Sequence, residues 1–142
     1  RRRTARGGRP RSMPVAIEVD ESAVTVQDVH RLVAERAVDA INLKITKLGG
    51  LRRFMQAVRI CEAAGVACRM GAAFGPALLQ GMSAQAASTI GALPYACELG
   101  EHQQLLDDPF TPLVIEQGVL KLNGEPGSGV TFKELPVAEP AA

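Results

Sequence analysis

Short apolar segments alternate with amphipathic helical segments along most of this chain. The apolar segments begin 25 to 30 residues apart, and the gaps between them carry apolar residues at helical spacing. The predicted strands are 15–21, 40–45, 66–71 and, more weakly, 96–99, and the predicted helices are 25–37, 51–64 and 76–90. This order of elements predicts an α/β fold with parallel strands joined by right-handed crossovers.

Three local signals support the predicted helix ends. Thr25 followed by Asp28 resembles a capping box with a shorter acid. Gly65 fits the position just after the second helix, where a left-handed residue commonly ends a helix. Pro76 fits the first turn of the third helix, where the missing N–H costs nothing.

The second predicted strand has one apolar face and one polar face. Ile41, Leu43 and Ile45 alternate with Asn42 and Lys44. An open parallel sheet normally buries both faces against helices and reads as continuously apolar. A polar face that carries an amine therefore indicates the inside of a barrel near its mouth, where barrel enzymes place their chemistry.

The first predicted strand alternates in the same way and adds two carboxylates. Glu18 and Asp20 share one face, and we expect them to point into the same interior as Asn42 and Lys44. Asp20 and Lys44 both stand near the carboxyl ends of their strands. Their meeting has two interpretations that the residues leave open: a buried ion pair, or a metal ligand beside a general base.

The end of the chain has a different pattern. Residues 113–116 and 119–122, joined by Gln117-Gly118, predict a hairpin, and a turn rich in Pro and Gly follows at 125–129. A complete eight-stranded barrel takes about 250 residues. With 142 residues and four predicted strands, the chain is predicted to form half of one.

Charge is distributed unevenly along the chain. Six of the sixteen basic residues are arginines in the first twelve residues, which leaves ten basic against fifteen acidic residues, a net −5, for residues 13–142. Residues 1–13 have no apolar periodicity and are predicted to be a disordered leader. A nucleic-acid-binding arm is one interpretation, but the absence of interleaved aromatic residues favours an appended leader.

Composition excludes some classes of protein. No apolar run approaches the 18 residues of a membrane span, and no signal-peptide core is evident. The three cysteines, Cys61, Cys68 and Cys97, lack CxxC spacing and are predicted to be reduced thiols of a cytoplasmic protein.

Other candidate groups have simple structural interpretations. His30 on a helix and His102 in a polar loop are predicted to be solvated or hydrogen-bonded, because neither has a partner at ligand spacing. Asp107 and Asp108 are predicted to lie in a solvated turn. Gly49-Gly50 lacks the remainder of a phosphate-binding loop and is interpreted as a turn.

Four short motifs in order resemble one known family. They are DES at 20–22, NLKITKLGG at 42–50, ELG at 98–100 and PGSGV at 126–130. Together they resemble the C-terminal half of the enolase superfamily, in its mandelate racemase/muconate lactonizing enzyme branch. The resemblance implies a partial (β/α) barrel at 14–112, and a hairpin and tail at 113–142 that would return to a capping domain.

The resemblance also implies a chemistry. Asp20 matches one of three carboxylates that bind Mg²⁺, Lys44 matches an acid/base lysine, and Glu98 and Glu21 fall where substrate is contacted. The implied reaction removes a proton next to the carboxylate of a small-molecule substrate, as racemases, epimerases, cycloisomerases and dehydratases of the family do. Full-length relatives are implied to be homo-oligomers.

Two departures from the family pattern qualify this expectation. The strands that would carry a KxK motif and two further metal carboxylates have no counterpart here, so we expect the chain by itself to be inactive. GAAFGP, with Gly75, stands where many relatives have an acidic residue, and LLDDP at 105–109 is similar to members acting on amino-acid or hydroxyproline-like substrates. The alternatives are a non-catalytic remnant or a binding module that uses the basic arm.

Overall fold

A computed structural model describes residues 15–134 of the chain. The predicted leader at 1–13 and the end of the tail at 135–142 lie outside the described residues.

A three-stranded parallel sheet forms the centre of the fold. Its strands are β1 (Glu18–Val19), β2 (Ala40–Leu43) and β3 (Ala67–Met70), in the order β1-β2-β3. Ala40 lies level with Glu18 on one side and with Ala67 on the other, and Asn42 lies level with Arg69. The predicted parallel order of the first three strands is therefore confirmed.

The predicted fourth strand at 96–99 is wrong. Within the described residues, this segment contacts the sheet backbone through the Glu98 N–H, which donates to the Met70 carbonyl at 2.9 Å. The Ala96 carbonyl accepts instead from the side chain of Arg69, Nε to O 2.8 Å. The Arg69 side chain thus donates where a backbone N–H of β3 would donate in a regular sheet. The segment lies beside the sheet and is not a strand of it.

The second strand is shorter than predicted because a helical turn follows it directly. Ile45, expected in the strand, is the first residue of the short helix α2 (Ile45–Leu48). Lys44 is the residue between the strand and this turn, and its carbonyl accepts from the Leu48 N–H at 3.2 Å. Gly49, with φ 76°, ends the turn in the left-handed region that glycine adopts without strain.

Three longer helices come after the three strands of the sheet, one after each strand along the chain. They are α1 (Val26–Ala34), α3 (Leu51–Ala64) and α4 (Ala77–Ser88). The predicted capping box is present, since the Asp28 N–H donates to Thr25 Oγ1 at 3.1 Å and the Thr25 N–H donates to Asp28 Oδ2 at 3.0 Å. Helix α1 ends three residues before the predicted position, whereas α3 has the predicted bounds and ends at Gly65 with φ 68°.

The apolar core lies on the helical side of the sheet. Ile41 and Leu43 of β2 are fully buried there, together with Phe54 and Val58 of α3. Asn42, between Ile41 and Leu43, points to the opposite side and contacts charged residues. The two-faced pattern of the sequence therefore separates a hydrophobic core from a polar cluster.

The C-terminal region forms the predicted hairpin. Strands β4 (Ile115–Glu116) and β5 (Val119–Leu120) pair in antiparallel fashion. Gln117 and Gly118 both have positive φ, 51° and 77°, which is the turn geometry that matches the twist of a tight hairpin. Nearby, the rings of Phe110 and Phe132 meet edge to face at 5.5 Å across an antiparallel bridge.

No helix among residues 15–134 combines the length and the apolar composition that crossing a bilayer requires.

The capping box gives a testable stability prediction. Thr25→Ala removes the hydroxyl that accepts from the first turn of α1, and such a loss costs about 1 kcal/mol. We expect a lower urea midpoint by circular dichroism. The matched control is Ser22→Ala, because Ser22 is an exposed hydroxyl residue of the preceding loop. Equal midpoints for the two variants would show that the box does not stabilise the helix.

Candidate active site

The candidate site lies where β1 and β2 end. Asp20 follows the last residue of β1, and Lys44 follows the last residue of β2. Because the strands are parallel and adjacent, their carboxyl ends meet at one edge of the sheet. Lys44 Nζ donates to Asp20 Oδ2 at 2.9 Å, so the two predicted residues are in direct contact.

A second lysine, which the sequence analysis missed, contacts the same carboxylate. Lys47 Nζ donates to the Asp20 carbonyl oxygen at 2.7 Å and also contacts Asp20 Oδ1. The turn of α2 makes this possible, because it brings residue 47 back toward the residue that precedes the turn. The lysine spacing in KITK would have indicated Lys47 only if 45–48 had been predicted as helical.

The two lysines fix the charge state of Asp20. Partial burial opposes ionisation of this carboxyl, but the hydrogen bonds from Lys47 and Lys44 outweigh burial and lower its pKa. The hydrogen bond to Asp20 in turn raises the pKa of Lys44, against a smaller opposing effect of burial. The pair is therefore a carboxylate and an ammonium ion, and the Lys44 side chain is only 16% exposed.

Asn42 links Asp20 to a second carboxylate. Its amide Nδ2 donates to Asp20 Oδ2 at 3.2 Å and lies 3.5 Å from Glu98 Oε2. Asn42 is only 3% exposed, and its Oδ1 has no hydrogen-bond partner. A Cβ built on Gly71 would stand 2.4 Å from that oxygen, so the side chain of Asn42 fits because residue 71 is glycine.

Glu98 is held by internal donors. Arg69 Nη2 donates to its Oε1 at 2.8 Å, and the Ala72 N–H donates to its Oε2 at 3.0 Å. The hydrogen bond from the Ala72 amide is the largest influence on the carboxyl, and together with Arg69 it lowers the pKa of Glu98 despite burial. Glu98 thus lies beside the Asp20 cluster, and its contact with substrate stays a prediction.

Glu21 is placed differently from Glu98. Its side chain is 81% exposed, and its Oε1 lies 3.8 Å from Lys44 Nζ. This exposed carboxylate is therefore accessible to a molecule that approaches Lys44 from solvent.

Within the described residues the site offers one carboxylate suited to a metal ion. No group of three or more His, Cys, Asp or Glu side chains in this part of the chain could hold a metal. Asp20 has the oxygen donors that Mg²⁺ prefers, but both oxygens accept from lysines. The described residues therefore fit the role of one ligand and do not form a complete magnesium site.

Two predictions about residues outside this cluster are wrong. His102 is not solvated: it lies in a short 3-10 helix, Glu101–Gln104, is 4% exposed, and neither ring nitrogen has a partner. Asp108 is not simply part of a solvated turn, because its Oδ2 accepts from the Ala77 N–H at 2.7 Å and caps α4. Long-range packing decides both positions, and local composition does not reveal it.

The three cysteines are free thiols, as predicted. Cys61 and Cys68 are buried, and Cys97 is half-buried.

Comparisons with known proteins find consistent similarity. The family described as Enolase C-terminal domain-like matches residues 2–135. Chloromuconate cycloisomerase from Cupriavidus pinatubonensis is 31% identical over 121 residues, which cover 84% of this chain and 33% of that protein. Hydrophobic dipeptide epimerase from Enterococcus faecalis is 42% identical over 55 residues, 39% of this chain and 16% of that protein.

Solved structures give the same result for the fold. The crystal structure of 2-chloromuconate cycloisomerase from Rhodococcus opacus superposes with a TM-score of 0.80 at 37% identity and covers 86% of this chain and 33% of that one. Muconate lactonizing enzyme from Pseudomonas putida gives 0.80 at 30% identity, with 85% and 34% covered. The chain spans about a third of the length of these relatives.

The fit between Gly71 and Asn42 gives a second prediction. Gly71→Ala places a methyl group against the buried Asn42 amide, and overpacking of this kind costs about 1–3 kcal/mol. We expect a lower thermal midpoint and displaced Asn42 side-chain amide signals in NMR spectra. Gly91→Ala is the matched control, because nothing lies within 4 Å of a Cβ at that position. Equal thermal midpoints for the two variants, with unchanged Asn42 signals, would contradict the close approach between residue 71 and the Asn42 side chain.

Proposed function

Because this chain belongs to the enolase superfamily, in the mandelate racemase/muconate lactonizing enzyme branch, we propose that it contributes half of the active site of a metal-dependent enzyme. The enzyme would act on a small-molecule carboxylate by moving the proton on the neighbouring carbon. The described residues form the C-terminal part of a TIM-type barrel, a fold in which catalytic groups stand at the carboxyl ends of the strands.

One observation carries this proposal. Asp20 and Lys44, on adjacent parallel strands, meet at 2.9 Å at the strand ends. A carboxylate and an amine in contact at this edge are the groups that the family resemblance assigns to metal binding and proton transfer. The contact also supports a specific order of roles, with Asp20 as the fixed anion and Lys44 as the group that carries the proton.

Lys44 holds its proton firmly in the described arrangement. The hydrogen bond to Asp20 raises the pKa of Lys44, so Nζ is an ammonium donor while this bond is intact. Lys44 can accept a proton only when the charge of Asp20 is shared with another partner, because loss of the ion pair removes what stabilises the ammonium. Lys47 stays within reach of the Asp20 backbone carbonyl and can keep that loop in place meanwhile.

Mg²⁺ is the proposed metal, and Asp20 would be one of its ligands, with the others supplied from outside the described residues. When bound, the metal would stabilise the negative charge that develops on the substrate carboxylate as the proton leaves. Asn42 would orient Asp20 from the side, since its Nδ2 donates to Asp20 Oδ2.

Glu21 and Glu98 are the proposed contacts to the remainder of the substrate. Glu21 is exposed beside Lys44, which favours a substrate that carries a cationic group, such as an amino acid or a hydroxyproline-like compound. Both oxygens of Glu98 are engaged by Arg69, Ala72 and Asn42, so any contact it makes with substrate would be shared with these donors.

The role of Lys44 can be tested by isotope exchange. The assay protein joins this chain to the N-terminal two thirds of the Rhodococcus opacus relative, and candidate amino and hydroxy acids are incubated with it in D₂O. We expect Mg²⁺-dependent deuterium incorporation next to the carboxylate, and a loss of about 10² to 10⁴-fold for Lys44→Ala, the usual contribution of a general acid–base group. Lys121→Ala is the control, because Lys121 pairs with Glu116 on the exposed hairpin.

Two results would contradict the proposal. Exchange by Lys44→Ala at the rate of the parent protein would remove Lys44 from proton transfer. Mg²⁺-dependent exchange by the 142-residue chain alone would contradict the need for further metal ligands, because Asp20 as a single ligand would leave Mg²⁺ largely hydrated.

A further inference from the structure

The side chain of Arg69 contacts three separate segments on the polar face of the sheet. From β3 its guanidinium donates to three acceptors: Glu18 Oε1 at 3.1 Å, Glu98 Oε1 at 2.8 Å and the Ala96 carbonyl at 2.8 Å. Glu18 belongs to β1, so this contact crosses over β2. One side chain thus connects β1, β3 and the segment at 96–98.

The residue that Arg69 passes on β2 is small. Ala40 lies level with Glu18 in the register and is on the same face as Asn42, two residues further along. Asn42 lies level with Arg69, so the guanidinium reaches Glu18 across the part of β2 between Asn42 and Ala40. The short side chain of Ala40 is compatible with this contact between residues on non-adjacent strands.

The segment at 96–98 is attached to the sheet through few backbone hydrogen bonds, and Cys97 packs against the apolar core. Among the described residues its backbone bond to β3 is the one from the Glu98 N–H to Met70. Arg69 adds two bonds, to the Ala96 carbonyl and to the Glu98 carboxylate. The second fixes Oε1 of Glu98, which leaves Oε2 directed at the Ala72 N–H and Asn42.

We propose that Arg69 is a positioning residue of this site: its guanidinium holds the Glu98 carboxylate so that Glu98 anchors the loop at 71–76 and supports Asn42 beside Asp20. The proposal rests on the proposed function for its meaning, since Asn42 donates to Asp20, which is the partner of Lys44. Arg69 itself touches neither Asp20 nor Lys44 through a described hydrogen bond, so it acts through Glu98.

The geometry requires an arginine. The three acceptors lie in different directions, which suits the planar five-donor fork of a guanidinium and not the single ammonium of lysine. Glu18 and Glu98 are both only partly exposed, at 28% and 38% of their side chains, and without Arg69 each would lose its cationic partner. A partly buried carboxylate that loses its partner moves toward solvent or toward another donor.

Two neighbouring amides report this role separately from general stability. The Ala72 N–H donates to Glu98 Oε2, whereas the Gly71 N–H donates to the Leu43 carbonyl within the sheet at 2.9 Å. Hydrogen exchange of both amides is measured by NMR on the ¹⁵N-labelled 142-residue chain. Their ratio cancels any change in the stability of the sheet as a whole.

We expect Arg69→Met to speed exchange at Ala72 relative to Gly71 by on the order of tenfold, the value of a hydrogen bond to a charged group. Arg69→Lys should also raise the ratio of Ala72 to Gly71 exchange above that of the parent chain, because one ammonium group cannot replace the several donors of a guanidinium. The control is Arg59→Met, which removes an exposed arginine that pairs with Glu62 on α3 and should leave the ratio unchanged.

The proposal is wrong if Ala72 and Gly71 change by the same factor, which would make Arg69 a general support of the sheet, or if Ala72 does not change. Should Arg69→Met fail to fold, Arg69→Lys decides, since it keeps the positive charge: an unchanged ratio in that variant overturns the proposal. The exchange ratio does not depend on turnover. The deuterium assay therefore tests the proposed role of Lys44 in proton transfer, and the ratio of amide exchange rates separately tests the positioning role of Arg69.

Discussion

The carboxylate of Asp20 is the group around which the rest of the site is arranged. A partly buried anion is stable only when its oxygens are satisfied, and here they accept from Lys44, Lys47 and Asn42. These donors come from the end of β2 and from the turn that follows it. The end of β2 and the turn of α2 therefore supply the donors that keep this carboxylate ionised.

The other partly buried carboxylates near the sheet are also paired with cationic side chains. Besides the exposed Glu21, three partly buried carboxylates and three cationic groups lie together on the polar side of the described sheet. They are Glu18, Asp20, Glu98, Lys44, Lys47 and Arg69. Asn42 joins the half around Asp20 to the half around Glu98, because its amide faces both carboxylates. Each carboxylate has a cationic partner, which offsets the cost of removing it from water.

The chain belongs to the enolase superfamily, but its described residues do not form a complete metal site. The chain spans about a third of the length of its relatives, and its described part provides one carboxylate suited to a metal together with one lysine poised beside it. In the ion pair between them, the proton is held on Lys44 and the charge of Asp20 is shared between two lysines.

The sequence by itself determined the features that depend on neighbouring residues. Alternation placed Asp20 and Lys44 on one face, the Thr25 and Asp28 pair capped α1, and Gln117-Gly118 formed the hairpin turn, because each rests on local geometry. Tertiary structure alone decided the partners that are distant in sequence. Lys47 reaches Asp20 through a helical turn that the apolar pattern did not predict, and Arg69 reaches across β2 to Glu18 on a strand that is not its neighbour. His102 and Asp108 were misplaced for the same reason: burial and capping by distant elements depend on how the chain packs, which periodicity does not encode.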